Sequence, residues 1–162
     1  MSGYDPGSGK IYVVSGYNTG FVDSAQPTTW AYDPVANSWA VKSPIPHPVG
    51  GAGQAIIGGH MYIAGGRDAT NTVIADCQDY NIAADSWSTC QSLPSPNNVP
   101  GSGVQSGLFF EFGGGNPFLA GGKLRDAYLS PNTTGATVSY DPGANAWSSQ
   151  PSLNVARSFP GG

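Results

Sequence analysis

A tyrosine followed seven residues later by a tryptophan occurs three times in this chain of 162 residues. Each pair encloses a short polar segment in which Asp, Asn, Pro and Ala predominate. The pairs are Tyr32 with Trp39, Tyr80 with Trp87, and Tyr140 with Trp147. Because such a recurrence means that one supersecondary unit is repeated, the chain is predicted to be a solenoid or a propeller.

An apolar stretch that ends in small residues precedes each pair, at residues 11–16, 61–66 and 109–114. These stretches begin roughly 50 residues apart, which is a propeller-like period. A strand of small residues precedes the second and third of them, at 53–57 and 103–108. Each repeat therefore reads as four short strands. Small side chains suit the first strand, because neighbouring sheets crowd together at a propeller axis.

These landmarks resemble the kelch family. The pattern Tyr-Asp-Pro-x-x-Asn-x-Trp at 32–39 and 140–147 matches that family, as do glycine pairs after apolar strands. There are departures at Ser15-Gly16, where the family has Gly-Gly, and at Tyr80-Asn81-Ile82, where it has Tyr-Asp-Pro. The resemblance implies an all-β fold: a partial β-propeller of about three four-stranded kelch-type blades, incomplete at both ends.

The same landmarks predict where the blades begin and end. Residues 1–43 form a first blade that lacks most of its inner strand, 44–93 and 94–153 form two more, and 154–162 start another inner strand. Kelch propellers are expected to have more than three blades, within a general range of about 4–8. The remaining blades then come either from the same longer chain or from another copy that completes the first blade.

Composition narrows the class of partner. The formal net charge is −4, and the six cations are scattered without a basic run, so nucleic acid is not expected as a partner. The chain has no apolar stretch near the ~18 residues of a membrane span. Protein and glycan stay open as partners.

The two cysteines share the register of one Tyr–Trp pair. If Tyr80 faces Trp87 across a hairpin, then Cys77, three residues before, faces Cys90, three residues after. Opposed positions of this kind lie within disulfide range, whereas the alternative is two free buried thiols. A disulfide indicates an oxidising compartment, so the chain is expected to be secreted or at the cell surface. The only acceptor sequon, at Asn132, agrees with this expectation and predicts glycosylation.

No residue pattern predicts catalysis, a cofactor or a metal. His47, in a connection between blades, and His60, in a hairpin turn, are expected on opposite faces. Glu111, the only glutamate, is expected in the second strand of the third blade, solvated or paired with an arginine. One alternative is a fragment of an enzyme similar to galactose oxidase, whose copper-radical site needs a Cys–Tyr crosslink, a second Tyr and two His. Here Cys77 and Tyr80 are already explained by the repeat.

Binding is expected on the face that carries the long loops and the connections between blades, because recognition concentrates in loops on a rigid scaffold. Aromatic, arginine and neighbouring polar residues in those segments are the candidates, since aromatic and Arg side chains anchor interfaces. They are Tyr17, Phe21, Arg67, Asp68, Asn116, Phe118, Arg125, Asp126 and Arg157. An equally favoured interpretation is that the two Arg-Asp pairs order their own loops.

Taken together, these observations predict a non-catalytic kelch propeller segment that binds a protein or a glycan, or builds an extracellular assembly. A copper-radical oxidase fragment is the first alternative. An intracellular kelch adaptor is the second, and the cysteine register disfavours it.

Overall fold

A computed structural model describes residues 1–18, 25–70, 72–94, 108–110, 115–122 and 133–156, and in these ranges all regular structure is β-strand. The strands form three four-stranded antiparallel sheets, each in chain order. The first sheet contains β1 (Ser2–Asp5), β2 (Lys10–Val14), β3 (Thr29–Asp33) and β4 (Ser38–Lys42). The second contains β5 (Gly53–Ile57), β6 (His60–Ala64), β7 (Cys77–Asn81) and β8 (Ser86–Cys90). The third contains β9 (Leu108–Phe110), β10 (Phe118–Ala120), β11 (Thr137–Asp141) and β12 (Ala146–Gln150).

Each Tyr–Trp pair spans the outer hairpin of its sheet. The two rings stand directly opposite each other in the β3–β4, β7–β8 and β11–β12 ladders. Their centroids are 4.9–5.0 Å apart. The spacing of seven results from a four-residue turn, in which Asp33, Asn81 or Asp141 accepts hydrogen bonds from backbone N–H groups two or three residues ahead.

The sheets approach one another most closely at their first strands, since β5 contacts both β1 and β9. Glycine leaves room for this close approach. A Cβ on Gly53 would lie 2.6 Å from the Cβ of Phe109, and one on Gly3 would lie 2.8 Å from Cδ1 of Ile56. The first strands were predicted to carry small residues because neighbouring sheets crowd together at a propeller axis. Their convergence confirms this explanation.

Two cores fill the spaces between the sheets. The core between the first and second sheets consists of Tyr12, Val14, Ala31, Ile45, Val49, Met61, Ile63, Tyr80 and Ile82. The core between the second and third consists of Ala55, Tyr62, Ala64, Leu93, Phe109, Leu119 and Tyr140. The tyrosine of one sheet thus packs against the preceding sheet, with Tyr80 against Tyr12 and Tyr140 against Tyr62. The all-β propeller prediction is confirmed.

The two ends of the sheets differ. One end, here called the loop face, carries the β2–β3 and β6–β7 loops (15–28 and 65–76) and the connections that follow β4 and β8. The other end, the turn face, carries the short β1–β2, β3–β4, β5–β6 and β7–β8 turns.

The two inner strands predicted for the third sheet were wrong, whereas its Tyr140–Trp147 hairpin was predicted correctly. The sequence placed its first strand at 103–108 and its second at 109–114, but Phe109 lies in the first strand and the second is Phe118–Ala120. The glycine pair that follows the second strand is Gly121-Gly122, both at positive φ (67° and 114°). The sequence also contains a run of three glycines at 113–115. Its distance from Gly65-Gly66 matches the period of about 50 residues better, so the pattern places the glycine pair of the motif there.

The first sheet has a longer inner strand than the sequence suggested. Four residues, Ser2–Asp5, pair with β2 from Ser2 opposite Val13 to Asp5 opposite Lys10. The inner strand of the second sheet has five residues. The expectation that the first blade lacks most of its inner strand was therefore wrong. No helix in the described ranges is long and apolar enough to cross a membrane.

Candidate functional site

On the loop face, the loops of the first two sheets are joined into one platform. Gly50, in the connection between the sheets, exchanges two backbone hydrogen bonds of 2.9 Å with Arg67 in the β6–β7 loop. Tyr17, in the β2–β3 loop, donates its hydroxyl to the Arg67 carbonyl at 3.3 Å. A Cβ on Gly50 would overlap the Tyr17 ring, at 2.1 Å from Cζ, so only glycine allows this approach. Tyr17 and Arg67 therefore hold the platform together.

Ser15 explains one departure from the kelch pattern. Its φ of 50° is a left-handed conformation that the usual glycine adopts freely. The Ser15 hydroxyl donates to the carbonyl of Val49 at 2.8 Å and accepts from the N–H of Val49 at 2.9 Å. These two bonds offset the backbone strain and tie the β2–β3 loop to the connection between sheets.

Asp68 orders its own loop. Its Oδ1 accepts hydrogen bonds from the N–H and hydroxyl of Thr70 and from the N–H of Thr72, at 2.7–3.0 Å. Partial burial raises the pKa of Asp68, but these hydrogen bonds outweigh it, so the pKa lies below its ordinary value. This geometry favours the interpretation that Arg67-Asp68 shapes the loop.

The polar groups displayed beside this platform are His47 and Asp76. Nδ1 of His47 lies 2.6 Å from Oδ2 of Asp76, and their side chains are 43% and 47% exposed. Gln78 fixes the His47 backbone by bonding its N–H and its carbonyl, both at 2.9 Å. Asp68 also faces this imidazole, with Oδ2 3.8 Å from Nε2 of His47.

A cavity of about 300 Å³ opens next to this pair. Its lining combines proline, tryptophan and the disulfide with hydroxyl, amide and charged groups: Pro46, His47, Asp76, Cys77, Gln78, Trp87, Ser88, Thr89, Cys90 and Ser92. The sequence analysis did not single out Asp76 and left His47 as a surface residue. A histidine in a proline-rich connection and an aspartate directly before β7 were the available signals.

The second histidine lies at the other end of the same sheet. His60 begins β6 directly after the β5–β6 turn, and its Nδ1 is 2.8 Å from Oδ1 of Asp79 in the middle of β7, whereas Asp76 precedes that strand on the loop face. The two histidines thus occupy opposite faces, as expected. Within the described ranges, no cluster of three His, Cys, Asp or Glu residues is placed to hold a metal ion.

Cys77 and Cys90 form a disulfide between β7 and β8, with Cα atoms 5.0 Å apart. They are direct partners in the ladder that also pairs Tyr80 with Trp87, so the register argument is confirmed. Cys77 is consequently not available for the Cys–Tyr crosslink that the copper-radical alternative would need.

Asn116 and Phe118 are not where the sequence placed them. Both were assigned to a long β2–β3-type loop, but Phe118 begins β10 and Asn116 lies two residues earlier, in the connection from β9. Phe118 occupies the register position of Tyr12 and Tyr62, whose rings contact the tyrosine of the following sheet. Phe118 is therefore a packing position of the blade.

Several sequence predictions fall outside the described residues. These are the binding candidates Phe21, Arg125, Asp126 and Arg157, the glycosylation candidate Asn132, and Glu111. They stay predictions.

Comparison with known proteins agrees with this geometry. The family model described as Kelch motif matches residues 48–94, which contain the whole second sheet. This chain is a kelch-repeat protein. Kelch-like ECH-associated protein 1A of Danio rerio is 30% identical over 111 residues, which cover 67% of the kelch chain and 18% of that relative. Beta-scruin of Limulus polyphemus is 27% identical over 158 residues, which cover 93% of the kelch chain and 16% of that relative. The kelch chain thus spans less than a fifth of the length of either protein.

The solved structure of YjhT supports the same fold. It matches 98% of the kelch chain with a TM-score of 0.78, over 56% of its own length, at 14% identity. At this identity the likeness concerns the propeller architecture alone.

Proposed function

We propose that this kelch chain is a protein-binding, non-catalytic segment of a propeller, and that its partners contact the loop face. The observation that carries the proposal is the His47–Asp76 pair, half exposed on a backbone that Gln78 holds in place, beside a cavity of about 300 Å³. Recognition commonly uses polar side chains that a rigid scaffold displays next to a cavity, and this pair has that arrangement.

The relatives support protein binding in general terms. One of them is named for an association with ECH, and several others are named as kelch-like proteins or scruins. The kelch chain covers only a small share of each, so the partner itself is not carried over from any of them.

An extracellular location is part of the same proposal. The Cys77–Cys90 disulfide supports it, because such bonds persist in oxidising compartments. Peptide mapping of unreduced protein isolated from its source organism tests this location. Free thiols on both cysteines would count against it.

The binding face can be tested without knowing the natural partner. A phage-displayed peptide library is selected on the full chain, and the selected peptides are measured against H47A and D76A. H60A is the matched control, since His60 forms a similar pair with Asp79 on the turn face at 2.8 Å. We expect H47A and D76A to weaken binding by about tenfold or more, as anchor residues do, and H60A to leave it unchanged.

Thermal melts establish that each variant is folded before its binding is compared. Peptides that lose affinity through H60A, but not through H47A or D76A, would contradict the loop-face proposal. A glycan array probed with the same chain distinguishes the glycan alternative: glycan binding that H47A abolishes, without any peptide binding, would replace protein by glycan as the ligand class.

A further inference from the structure

The cavity of about 300 Å³ lies in the cleft between the first two sheets. Tyr80 belongs to the core that fills this cleft, and Trp87 packs against that core. Gln78 and Thr89 are opposite each other two residues further along the same ladder. Because side chains two apart in a strand share a face, all four point toward the first sheet. The β7–β8 hairpin thus forms a wall of the cavity, and the connection between the sheets adds Pro46 to its lining.

The side chains of the lining mainly offer hydrogen-bond acceptors. The Asp76 carboxylate binds Nδ1 of His47 through Oδ2 at 2.6 Å, and no described residue bonds its Oδ1. When the Nδ1 proton points at Asp76, a neutral imidazole keeps Nε2 as an acceptor. The Gln78 amide is bonded at both ends to the His47 backbone at 2.9 Å, so it has little left to donate. The other polar side chains of the lining are serine and threonine hydroxyls.

The site is negative whatever the protonation state of His47. Asp76 lies on one side of the imidazole, and Asp68 lies on the other with its Oδ2 3.8 Å from Nε2. Two carboxylates and one imidazole sum to −2 when the ring is neutral and to −1 when it is protonated. No lysine or arginine is among the described residues that line the cavity. A cationic ligand would therefore find a complementary charge here.

The carboxylate and the aromatic ring of the cavity are fixed before a ligand arrives. The N–H of Gly65 donates to the Asp76 carbonyl at 2.8 Å. Nε1 of Trp87 donates to the Ser43 carbonyl, also at 2.8 Å. Groups that are already ordered lose little conformational entropy on binding, so more of the contact energy appears as affinity.

We propose that this cavity binds the side chain of an arginine from a partner protein, an inference that rests on the protein-binding function proposed above. The guanidinium carries several N–H donors and a permanent positive charge, so it matches a negative site rich in acceptors. Its flat face can stack on the Trp87 ring. The cavity of about 300 Å³ is at the lower end of ligand pockets, which reach roughly 1,000 Å³, so it suits a single side chain.

Other ligand classes fit this lining less well. A carboxylate or phosphate would meet Asp76 and Asp68 without a cation among the described lining residues to offset the repulsion. Sugar hydroxyls need donors as well as acceptors, and the Gln78 amide is occupied by the backbone of His47. A lysine has the charge but lacks the planar fork and the face that stacks on an indole, so it should bind more weakly.

Titration of the full chain with small probes tests the inference. N-acetyl-arginine methylamide is compared with the citrulline compound, which has nearly the same shape and no charge, and with the lysine compound. Nitrogen–proton correlation NMR follows the four indole N–H signals, and a spectrum of W87F identifies that of Trp87. The probes are added up to roughly 20 mM, because millimolar affinity is expected of ligands this small.

We expect the arginine probe to shift the Trp87 signal until it saturates, the lysine probe to bind more weakly, and the citrulline probe to leave the signal in place. D76N should weaken arginine binding by about tenfold or more, because it removes the charge and keeps the shape. D79N is the matched control, since Asp79 also contacts Nδ1 of a histidine but does not line the cavity. Thermal melts establish that both variants are folded.

Equal shifts with the arginine and citrulline probes, or no shift with either, would overturn the inference, as would arginine binding that D76N leaves unchanged. The loop-face proposal has its own outcome. Library peptides that need His47 and Asp76, but bind equally well with citrulline in place of arginine, leave that proposal standing and overturn only the arginine ligand. Peptides that bind without these two residues, while the arginine probe still shifts Trp87, would contradict the loop-face proposal and support the preference of the cavity.

Discussion

Each outer hairpin has one residue at positive φ in its turn: Asn37, Asp85 or Asn145, of which Asp85 alone is charged. The hydrogen bond from the Tyr80 hydroxyl, followed by that from the Ser43 N–H, lowers the pKa of Asp85 below its ordinary value. Lys42 lies 3.7 Å away and acts in the same direction. A carboxyl with a depressed folded-state pKa stabilises the fold above the unfolded pKa and loses that contribution as pH falls through the folded pKa.

We therefore expect the free energy of unfolding to fall more steeply below about pH 4 in the wild type than in D85N. The asparagine keeps the acceptor oxygen, as Asn145 does, and cannot titrate. Because the Asp85 side chain is 38% exposed, the difference should stay within about 1 kcal/mol. Urea unfolding from pH 7 to pH 2 measures it, and parallel curves for the two proteins would show that Asp85 contributes no such term.

At this same scale, sequence reasoning found the repeated Tyr–Trp pairs but not the role of the turn residue between them. The Tyr–Trp spacing predicted opposed rings, and it also placed Cys77 opposite Cys90. The role of the turn residue stayed hidden, because Asn37 and Asn145 read as ordinary turn formers. The Asn145 oxygen accepts the N–H of Gln91 from the neighbouring sheet, a contact between residues 54 positions apart that only the coordinates reveal.

Among the elements, the β7–β8 hairpin is the one whose strands are covalently joined. The equivalent pair in the third sheet is Thr137 with Gln150, so C77T/C90Q replaces the disulfide by residues that this fold already accommodates at the same register. We expect the double variant to fold and to lose about 2–3 kcal/mol of unfolding free energy, as closing a loop of this length predicts.

Guanidinium unfolding with and without a reducing agent provides the measurement. Reductant should lower the stability of the wild type to near that of C77T/C90Q and leave the variant unchanged. A wild type that is insensitive to reductant under unfolding conditions would mean that the bond contributes nothing to stability.

The second sheet and the outer hairpins of all three sheets followed from the pattern, whereas the inner strands of the first and third sheets did not. Apolar strands before Gly65-Gly66 and a regular period gave the second sheet within a residue or two. In the third sheet, glycines at 113–115 and Gly121-Gly122 both fit the motif, and an apolar run cannot reveal which of two strands it forms. Packing settles the matter, because Leu119 and Phe109 both contact Gly53 of the neighbouring sheet.

For the whole molecule, the convergence of the first strands is the feature that makes three separate sheets one body. G53A tests it, since the added Cβ would lie 2.6 Å from the Cβ of Phe109 and 2.8 Å from Cδ1 of Leu119. We expect a loss of about 1–3 kcal/mol through overpacking. G7A is the control, because its Cβ would meet only Asp5 at 3.5 Å, and its effect should stay within about 0.5 kcal/mol. Equal thermal stabilities for the two variants would show that the axis has room to relax.

The loop face, where we propose that partners bind, was predictable at this scale only in outline. Alternation of strands put loops and connections at one end, which is correct for Tyr17, Arg67 and His47. Which side chains stay displayed depends on contacts between distant loops. The Tyr17 ring packs against Gly50, whereas the Asp76 side chain stays exposed in its contact with His47. No local sequence motif predicts either position.

The outer hairpin of one sheet binds the N–H and the carbonyl of the residue that follows the outer strand of the preceding sheet, which is Ser43 in one joint and Gln91 in the other. The Ser43 hydroxyl adds a bond to the Asp85 carbonyl at 2.6 Å, but the bonds common to both joints use main-chain atoms of that residue. Units joined in this manner are interchangeable: duplication, loss or exchange of a repeat during evolution would leave the joint intact. Pro151 occupies the equivalent position after β12, and because proline has no N–H, only its carbonyl is available for a joint of this kind.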